Sequence, residues 1–252
     1  MSNARVADIA LSKVSKTFAN RQVLKSVSFD VAPGEALCVM GRSGIGKSVT
    51  LKLMIGLLKP DAGNILIQGR NVVGMSEDDL SRTRRQMGFL FQGGALFSQL
   101  TVNDNLVLPL ERFTKKSRQE IDSMVQTRLE QVGLGNDRYK MPSELSGGMQ
   151  RRAGLARALI LDPHILLADE PTSGLDRITA REIDDLLLQV REKSKTTMVI
   201  VTHDSAGARR IGDRVAVLDN GEIVALGTIP ELEKDENELV RALVSEEGCY
   251  AH

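Results

Sequence analysis

The sequence predicts an α/β fold, a largely parallel sheet covered by helices on both faces. Short apolar runs recur along the chain, at Glu35 to Met40 (EALCVM), His164 to Ala168 (HILLA) and Thr197 to Thr202 (TMVIVT). Runs of that length and character mark strands buried on both faces. Helical segments alternate with them, the order that produces parallel strands joined by crossovers. The 252 residues are 42% hydrophobic and 26% charged, enough for an ordinary core in one large domain or two small ones.

Taken in order, Val6 to Val14 and Val23 to Val31 alternate loosely and read as strands, followed by a turn at Pro33-Gly34. A glycine-rich loop leads from EALCVM into a helix over Lys47 to Leu58, which stops before Lys59-Pro60-Asp61. Asn64 to Gln68 reads as a strand ended by Gly69. Ser76 opens a helix with Asp79 three residues on, and Met87 to Phe91 (MGFLF) is a short strand. Ser117 and Glu120 form a capping-box pattern ahead of Ile121, Met124, Val125, Leu129 and Val132, and Gly133 ends that helix. Gly147 to Leu161 and Ile178 to Lys193 are helical. Arg214 to Leu218 and Glu222 to Ala225 flank Asp219-Asn220-Gly221, a hairpin signal. Thr228 and Glu231 cap a further helix in front of an acidic tail. The stretch from about Gln92 to Asp162 is mostly helical and looks inserted into the sheet.

Composition removes several classes of function. Lys plus Arg equals Asp plus Glu at 33 each, so no net field favours nucleic acid or an acidic membrane. Trp is absent and aromatics are 3%, which argues against stacking platforms for single strands. Cys38 and Cys249 are far apart with no metal-ligand spacing, and a reducing compartment is the simplest reading. The N-terminal MSNARVADIALSKVSK lacks the apolar stretch of a signal peptide. No run approaches the roughly 18 to 20 apolar residues that span a bilayer, so a membrane role requires another chain.

Three motifs carry chemistry. GRSGIGKS, at Gly41, Arg42, Ser43, Gly44, Ile45, Gly46, Lys47 and Ser48, follows a strand and opens a helix. That context turns a glycine-rich sequence into a phosphate cradle, its amides facing phosphate oxygens at a helix N-terminus. Lys47 would reach the β- and γ-phosphates and the Ser48 hydroxyl would ligate Mg2+. A plain glycine-rich turn is the bland alternative. Asp169 and Glu170 end the HILLA strand, at the edge of the sheet where ligands bind. Asp169 is suited to hold Mg2+ and Glu170 to polarise an attacking water. By itself an Asp-Glu pair after a strand fits a loop turn equally well. Leu145-Ser146-Gly147-Gly148-Met149-Gln150 starts a helix and forms a second anion site, or alone a simple helix cap. One chain thus carries two phosphate-binding helix starts, where a kinase or small GTPase needs one.

With these three motifs in this order, the whole chain resembles the ATPase subunits of ABC transporters. The resemblance implies a P-loop NTPase (RecA-like) fold: a mostly parallel sheet, an N-terminal antiparallel β subdomain and an inserted α-helical subdomain. It divides the chain into a catalytic core at 1–91 and 163–230, a helical signature subdomain at 92–162, and a C-terminal helical tail at 231–252. It implies ATP and Mg2+ as cofactors. Gln92 matches the Q-loop glutamine, which touches Mg2+ and the lytic water and senses the membrane subunit. Ser173-Gly174-Leu175-Asp176 matches the D-loop. His203 in VTHD matches the switch histidine that contacts the γ-phosphate. Phe18 stands where the family keeps an aromatic that stacks on adenine, although an aromatic between two strands also serves a core. Val23 would line the same face, and Val49 follows the phosphate loop. Two departures stand out: Met149 replaces the usual glutamine of LSGGQ, and Arg177 follows Asp176 where many relatives have proline. The family geometry makes the two anion sites intelligible. Ser146, Gly147 and Gly148 of one copy would face the phosphate loop of a second, so a homodimer sandwiches each ATP.

A narrower resemblance is to the ATPases of Mla-type phospholipid transport systems. It rests on FQGGALFSQLTVNDNLVLPL (Phe91 to Leu110), GRSGIGKSVTLKLMIGLLKPDAG and PSELSGGMQRRAGLARAL. It implies a peripheral position on the cytoplasmic face of the bacterial inner membrane. An integral-membrane permease would dock near Gln92 to Phe97, where Leu96 and Phe97 are expected to be exposed, with an MCE-domain protein and a STAS-domain regulator as further partners. The acidic tail would contact the partner subunit. A non-transport ABC ATPase for envelope remodelling or lipoprotein release would share every one of these residues. A nucleic-acid-linked ABC ATPase would need coiled-coil insertions, zinc cysteines or a basic footprint, none of which the sequence carries.

Overall fold

The computed structural model describes residues 7–245. Two sheets form. Strands β1 (Ile9–Phe18) and β2 (Arg21–Val31) pair antiparallel. Strand β4 (Ala62–Ile67) joins the other side of β1, followed by the two-residue β5 (Arg70–Asn71), in the order β2-β1-β4-β5. The buried runs make the second sheet from β3 (Ala36–Met40), β6 (Met87–Leu90), β7 (Ile165–Asp169), β8 (Thr197–Thr202), β9 (Arg214–Asp219) and β10 (Glu222–Gly227). Its order is β10-β9-β3-β8-β7-β6, parallel throughout except for the β9–β10 hairpin.

Alternation along β3 divides the core. Leu37 and Val39 point into an apolar layer shared with Ile9, Leu24, Ile65 and Leu51 beneath the antiparallel sheet. Ala36, Cys38 and Met40 point to the opposite layer, among Leu166, Ile200, Ile183 and Leu187. Both faces are dry, which is why the strand reads as a continuous apolar run. The Cys38 thiol is buried there, and burial pushes its pKa up to about 12; Cys249 lies outside the described residues.

The helices are α1 (Lys47–Met54), α2 (Glu77–Arg84), α3 (Val102–Phe113), α4 (Arg118–Gln131), α5 (Gly147–Leu159), α6 (Arg177–Ser194), α7 (Ser205–Ile211), α8 (Ile229–Leu232) and α9 (Glu238–Val244). Ser76 caps α2 through the Asp79 amide, and Ser117 and Glu120 complete the capping box of α4. Between β6 and β7, helices α3, α4 and α5 enclose their own apolar cluster of Val102, Leu106, Leu110, Val125, Leu129 and Ala156.

Several boundaries differ from the sequence reading. Helix α1 stops at Met54, four residues short of Leu58. Gly56 turns left-handed (φ +69°) against Leu80, whose Cδ1 would lie 2.7 Å from any added Cβ. Strand β1 begins at Ile9 and runs on to Phe18 through positive-φ Lys13, whereas the sequence suggested Val6 to Val14; Val6 lies outside the described residues. Helix α7 and the two-residue β5 are too short to leave a periodic signal. Pro109 inside α3 removes one backbone donor and blurs that helix in the sequence. The acidic tail carries α9, whose Val240 and Val244 are fully buried against the sheet's second layer, and residues 246–252 lie outside the described residues.

Candidate nucleotide site

The phosphate-loop sequence works because its glycines are conformationally required. Gly46 caps α1 at φ +118°, and a Cβ there would stand 2.9 Å from Val23 Cγ1 and 3.2 Å from the Val23 carbonyl. Only glycine allows the loop to press on β2 while presenting its amides outward. Lys47 is then the first residue of α1, 5% exposed, with its Nζ donating 2.7 Å to the Gly41 carbonyl and 3.2 Å to that of Arg42. Ser48 donates its hydroxyl 2.7 Å to Asp169 Oδ1.

Sheet register brings the remaining groups to the same edge. Met40 pairs with Thr202 and Asp169 pairs with Val201, so Gly41, His203 and Glu170 all leave the C-terminal ends of adjacent strands. This is the edge at which open parallel sheets bind ligands. Glu170 sits between two partners. Its Oε1 lies 3.5 Å from Lys47 Nζ, and its Oε2 lies 2.8 Å from His203 Nδ1. An ionised carboxylate only accepts, so Nδ1 is the donor in this contact. Glu170 also adopts φ +48°, a left-handed backbone that a glutamate enters only when its surroundings hold it there. Burial, with the neighbouring Glu170 charge adding to it, raises the pKa of Asp169 above the usual carboxylate range; the Ser48 hydrogen bond opposes the shift.

These groups border a cleft of about 360 Å³ lined by Val23, Ser43, Gly44, Gly46, Lys47, Ser48, Val49, Gln92, Glu170 and His203, together with Arg21 and Ser173. Gly41 and Arg42 serve it from behind through the Lys47 contacts, and Ile45 packs into the core. Phe18 lies outside the lining, half-exposed under the Lys16 ammonium 5.4 Å from its ring centre. Asp176 caps α6, accepting from the Ile178 and Thr179 amides, and stands outside the cleft too. Ser146 caps α5 through the Met149 amide, with Gly147 and Gly148 in its first turn. Gly148 packs on Thr179 of α6 so closely that no Cβ fits. The signature turn therefore packs on the D-loop and the start of α6, and while Ser173 borders the cleft, Ser146, Gly147 and Gly148 do not.

The residues fit Mg2+. Among the described residues no cluster of three or more His, Cys, Asp or Glu could hold a metal. Mg2+ is commonly held by one or two protein oxygens plus substrate phosphates, and the contacting Ser48 and buried Asp169 offer that pair.

Two expectations need correction or addition. Phe97 is exposed, with Arg157 5.5 Å over its ring, but Leu96 packs against the helical cluster instead of standing free. Asn105 is fully buried and pins the loop after Gln92: its Oδ1 accepts from the Phe97 amide at 2.8 Å, and its Nδ2 donates to the carbonyls of Phe97, Leu100 and Thr101. The sequence reading passed over it, as it did Arg21 in the cleft wall. Asn105 sits in a helix with nothing local to distinguish it, and Arg21 belongs to no motif.

Comparison with known proteins agrees with this geometry. The family model for ABC transporters matches residues 24–173. The chain belongs to that family. It is 40% identical over 237 residues to a Mycobacterium leprae protein described as a probable ribonucleotide transport ATP-binding protein, mkl, covering 94% of this chain and 68% of that one. It is 40% identical over 242 residues to the methionine import ATP-binding protein MetN of Bordetella pertussis, covering 94% and 67%. The chain thus spans about two-thirds of the length of these relatives. Among solved structures, the dimeric post-hydrolysis state of the ATP-binding cassette MJ0796 bound to ADP and Pi superposes with a TM-score of 0.82 at 35% identity, over 87% of this chain and 98% of that one. The chain is the ATP-binding subunit of an ABC transporter and an ATPase, acting on ATP with Mg2+. Cassettes of this family form dimers and work with membrane permeases. No helix among the described residues is long and apolar enough to cross a membrane.

Proposed function

We propose that this cassette powers phospholipid transport between the inner and outer membranes of a bacterium, as a homodimer attached to the cytoplasmic face of an inner-membrane permease. The observation that carries the catalytic part is the contact set Lys47–Glu170–His203 beside Ser48–Asp169 at one sheet edge. Lys47 balances phosphate charge from the helix start, leaving its loop carbonyls as ATP enters. Ser48, Asp169 and Gln92 would hold Mg2+, which supplies charge neutralisation at the β- and γ-phosphate oxygens. Glu170 orients and polarises the attacking water, His203 contacts the γ-phosphate, and Gln92 touches Mg2+ and the water. Val23 and Val49 in the cleft wall would meet the ribose, and Phe18, outside the lining, would stack on the base. Phosphoryl transfer asks for positioning and electrostatics, and each of these groups supplies one of them.

Ser146 and Gly147 are exposed at the start of α5, Gly148 is buried against Thr179, and Asp176 caps the neighbouring α6. In the reading offered here they meet the γ-phosphate held by a second copy. Hydrolysis then removes the charge that bridges the two halves, and the dimer opens. The helical subdomain at 92–162 would carry this motion to the permease through the segment Gln92 to Phe97, and the exposed Phe97 suits that contact.

The phospholipid assignment rests on the likeness of GGALF and LSGGM to Mla-type ATPases. The names of the relatives point instead to ribonucleotide and methionine transport. The same cassette chemistry drives either cargo, because the permease selects it. Purifying the chain with its native partners in mild detergent separates these readings. Co-purification of a permease, an MCE-domain protein and bound phospholipid supports the proposal; a permease with an amino-acid or nucleotide receptor overturns it. Mixing Ser146→Ala and Lys47→Ala chains tests the shared sites: about one working site per dimer should return, and no recovery rejects them.

A further inference from the structure

One buried cation has no part in this scheme. Arg151 lies in the second turn of α5, on the helix that Ser146 caps, and is 7% exposed. Its Nη2 donates 2.6 Å to the Ser173 carbonyl. Its Nε and Nη1 have no hydrogen-bond partner among the described residues. A guanidinium left partly unpaired in a dry site does not stabilise the fold, so its position calls for another reason. Burial lowers its pKa, and the Glu170 carboxylate opposes that shift from nearby.

Arg151 touches the two segments on which Glu170 and Gln92 depend. Ser173 closes the turn that begins at Glu170, its amide donating 3.3 Å to the Glu170 carbonyl. Glu170 holds its left-handed backbone at the head of that turn, and Arg151 anchors the far end. On its other side, Nη1 faces Gly93, where a Cβ would lie 3.8 Å away. Gly94 rides on the backbone of α5 itself, 2.5 Å from the Gln150 carbonyl to an added Cβ, and Gly154 is seated under it.

We propose that Arg151 is a positioning residue of the hydrolytic centre, fixing the turn that carries its own chain's Glu170 and bracing the loop that follows Gln92. The inference rests on the assignment of Glu170 as the residue that polarises water. Helix α5 then serves two sites at once. Its N-terminus serves the partner's nucleotide, and Arg151 serves the base of its own chain. A displacement of the Gln92 loop reaches Glu170 through a single guanidinium.

The test compares Arg151→Met and Arg151→Lys in the full chain, each alone and with Glu170→Gln. Steady-state phosphate release, ATP affinity from a fluorescent ATP analogue, and thermal midpoint are read together. Arg151→Met should lower kcat by about tenfold or more while ATP affinity stays within about twofold. Arg151→Lys should recover part of that loss, because an ammonium can reach the same carbonyl. In the Glu170→Gln background Arg151→Met should add no further loss, since two residues acting through one water are not additive. Normal kcat in Arg151→Met overturns the proposal. So does an equal fractional loss in both backgrounds, or a Lys variant as impaired as Met. Wild-type turnover in Glu170→Gln overturns both this inference and the Glu170 assignment, whereas a slow Glu170→Gln beside a normal Arg151→Met overturns the inference alone.

Discussion

Replacing Gly94 by alanine should destabilise the chain well beyond the backbone strain of the same change at Gly69. Both glycines are left-handed, Gly94 at φ +83° and Gly69 at φ +76°. A side chain in that region costs roughly 1–2 kcal/mol at either site. The surroundings separate them. An added Cβ at Gly69 meets nothing within 4 Å, whereas at Gly94 it would lie 2.5 Å from the Gln150 carbonyl oxygen and 3.1 Å from its carbon. Those atoms belong to the backbone of α5 and cannot rotate aside, so loop and helix must part by roughly 1 Å, at a further cost of about 1–3 kcal/mol. A chain of this size loses about 2–4 °C in thermal midpoint per kcal/mol. Gly94→Ala should therefore melt roughly 2–12 °C below Gly69→Ala in scanning calorimetry at one pH and protein concentration. Equal midpoints for the two variants would refute the claim that this loop is seated by close approach to α5.

Other outcomes are open to direct measurement. Lys47→Ala should abolish hydrolysis and weaken ATP binding by about 2 kcal/mol, roughly thirtyfold in Kd, the worth of a charge-assisted contact; normal turnover would reject Lys47 as a phosphate contact. Burial first, then the nearby Asp204 charge, raises the Asp184 pKa from 3.8 to about 7. The folded chain thus keeps a proton that the unfolded chain has lost between those values, and stability contributed by that proton falls as pH rises from about 4 to about 7. Asp184→Asn should accordingly raise the thermal midpoint more at pH 8 than at pH 5, and a pH-independent difference would show that the group titrates normally. Ser117→Ala removes the side-chain arm of the α4 capping box, leaving the Ser117 amide on Glu120, and should cost about 1 kcal/mol, read as a shift of the denaturation midpoint at unchanged slope; no shift would mean that the hydroxyl cap adds nothing to stability.

Legibility followed the range of the physics. Features set by a few consecutive residues were readable: the Ser117–Glu120 cap, the Asn220-Gly221 hairpin, and the apolar runs of β3, β7 and β8. Features set by distant contacts were not. The end of α1 is a different case: left-handed Gly56 closes it locally, its amide bonding the Leu53 carbonyl and the Leu57 amide that of Lys52, a glycine stop that the apolar Leu57 and Leu58 masked. Leu96 looked free because it sits in a loop with Phe97 and shows no helical or strand period, yet it packs against the α3–α5 cluster. Asn105 holds the loop after Gln92 through four hydrogen bonds, an arrangement that one asparagine in a helix does not advertise.

The phosphate loop, the acidic strand end and the signature turn could be read from the chain alone, because each is a short peptide whose chemistry follows from its own backbone and side chains. Tertiary structure decided which of them meet. Parallel register set Asp169, Glu170 and His203 beside Lys47 and Ser48, while Gly148 packed on Thr179 seats the signature turn against α6, and Ser146 does not border the cleft. Hydrogen bonds and ion pairs act over a few ångströms in space, and separation along the chain carries no measure of that distance until the sheet has formed.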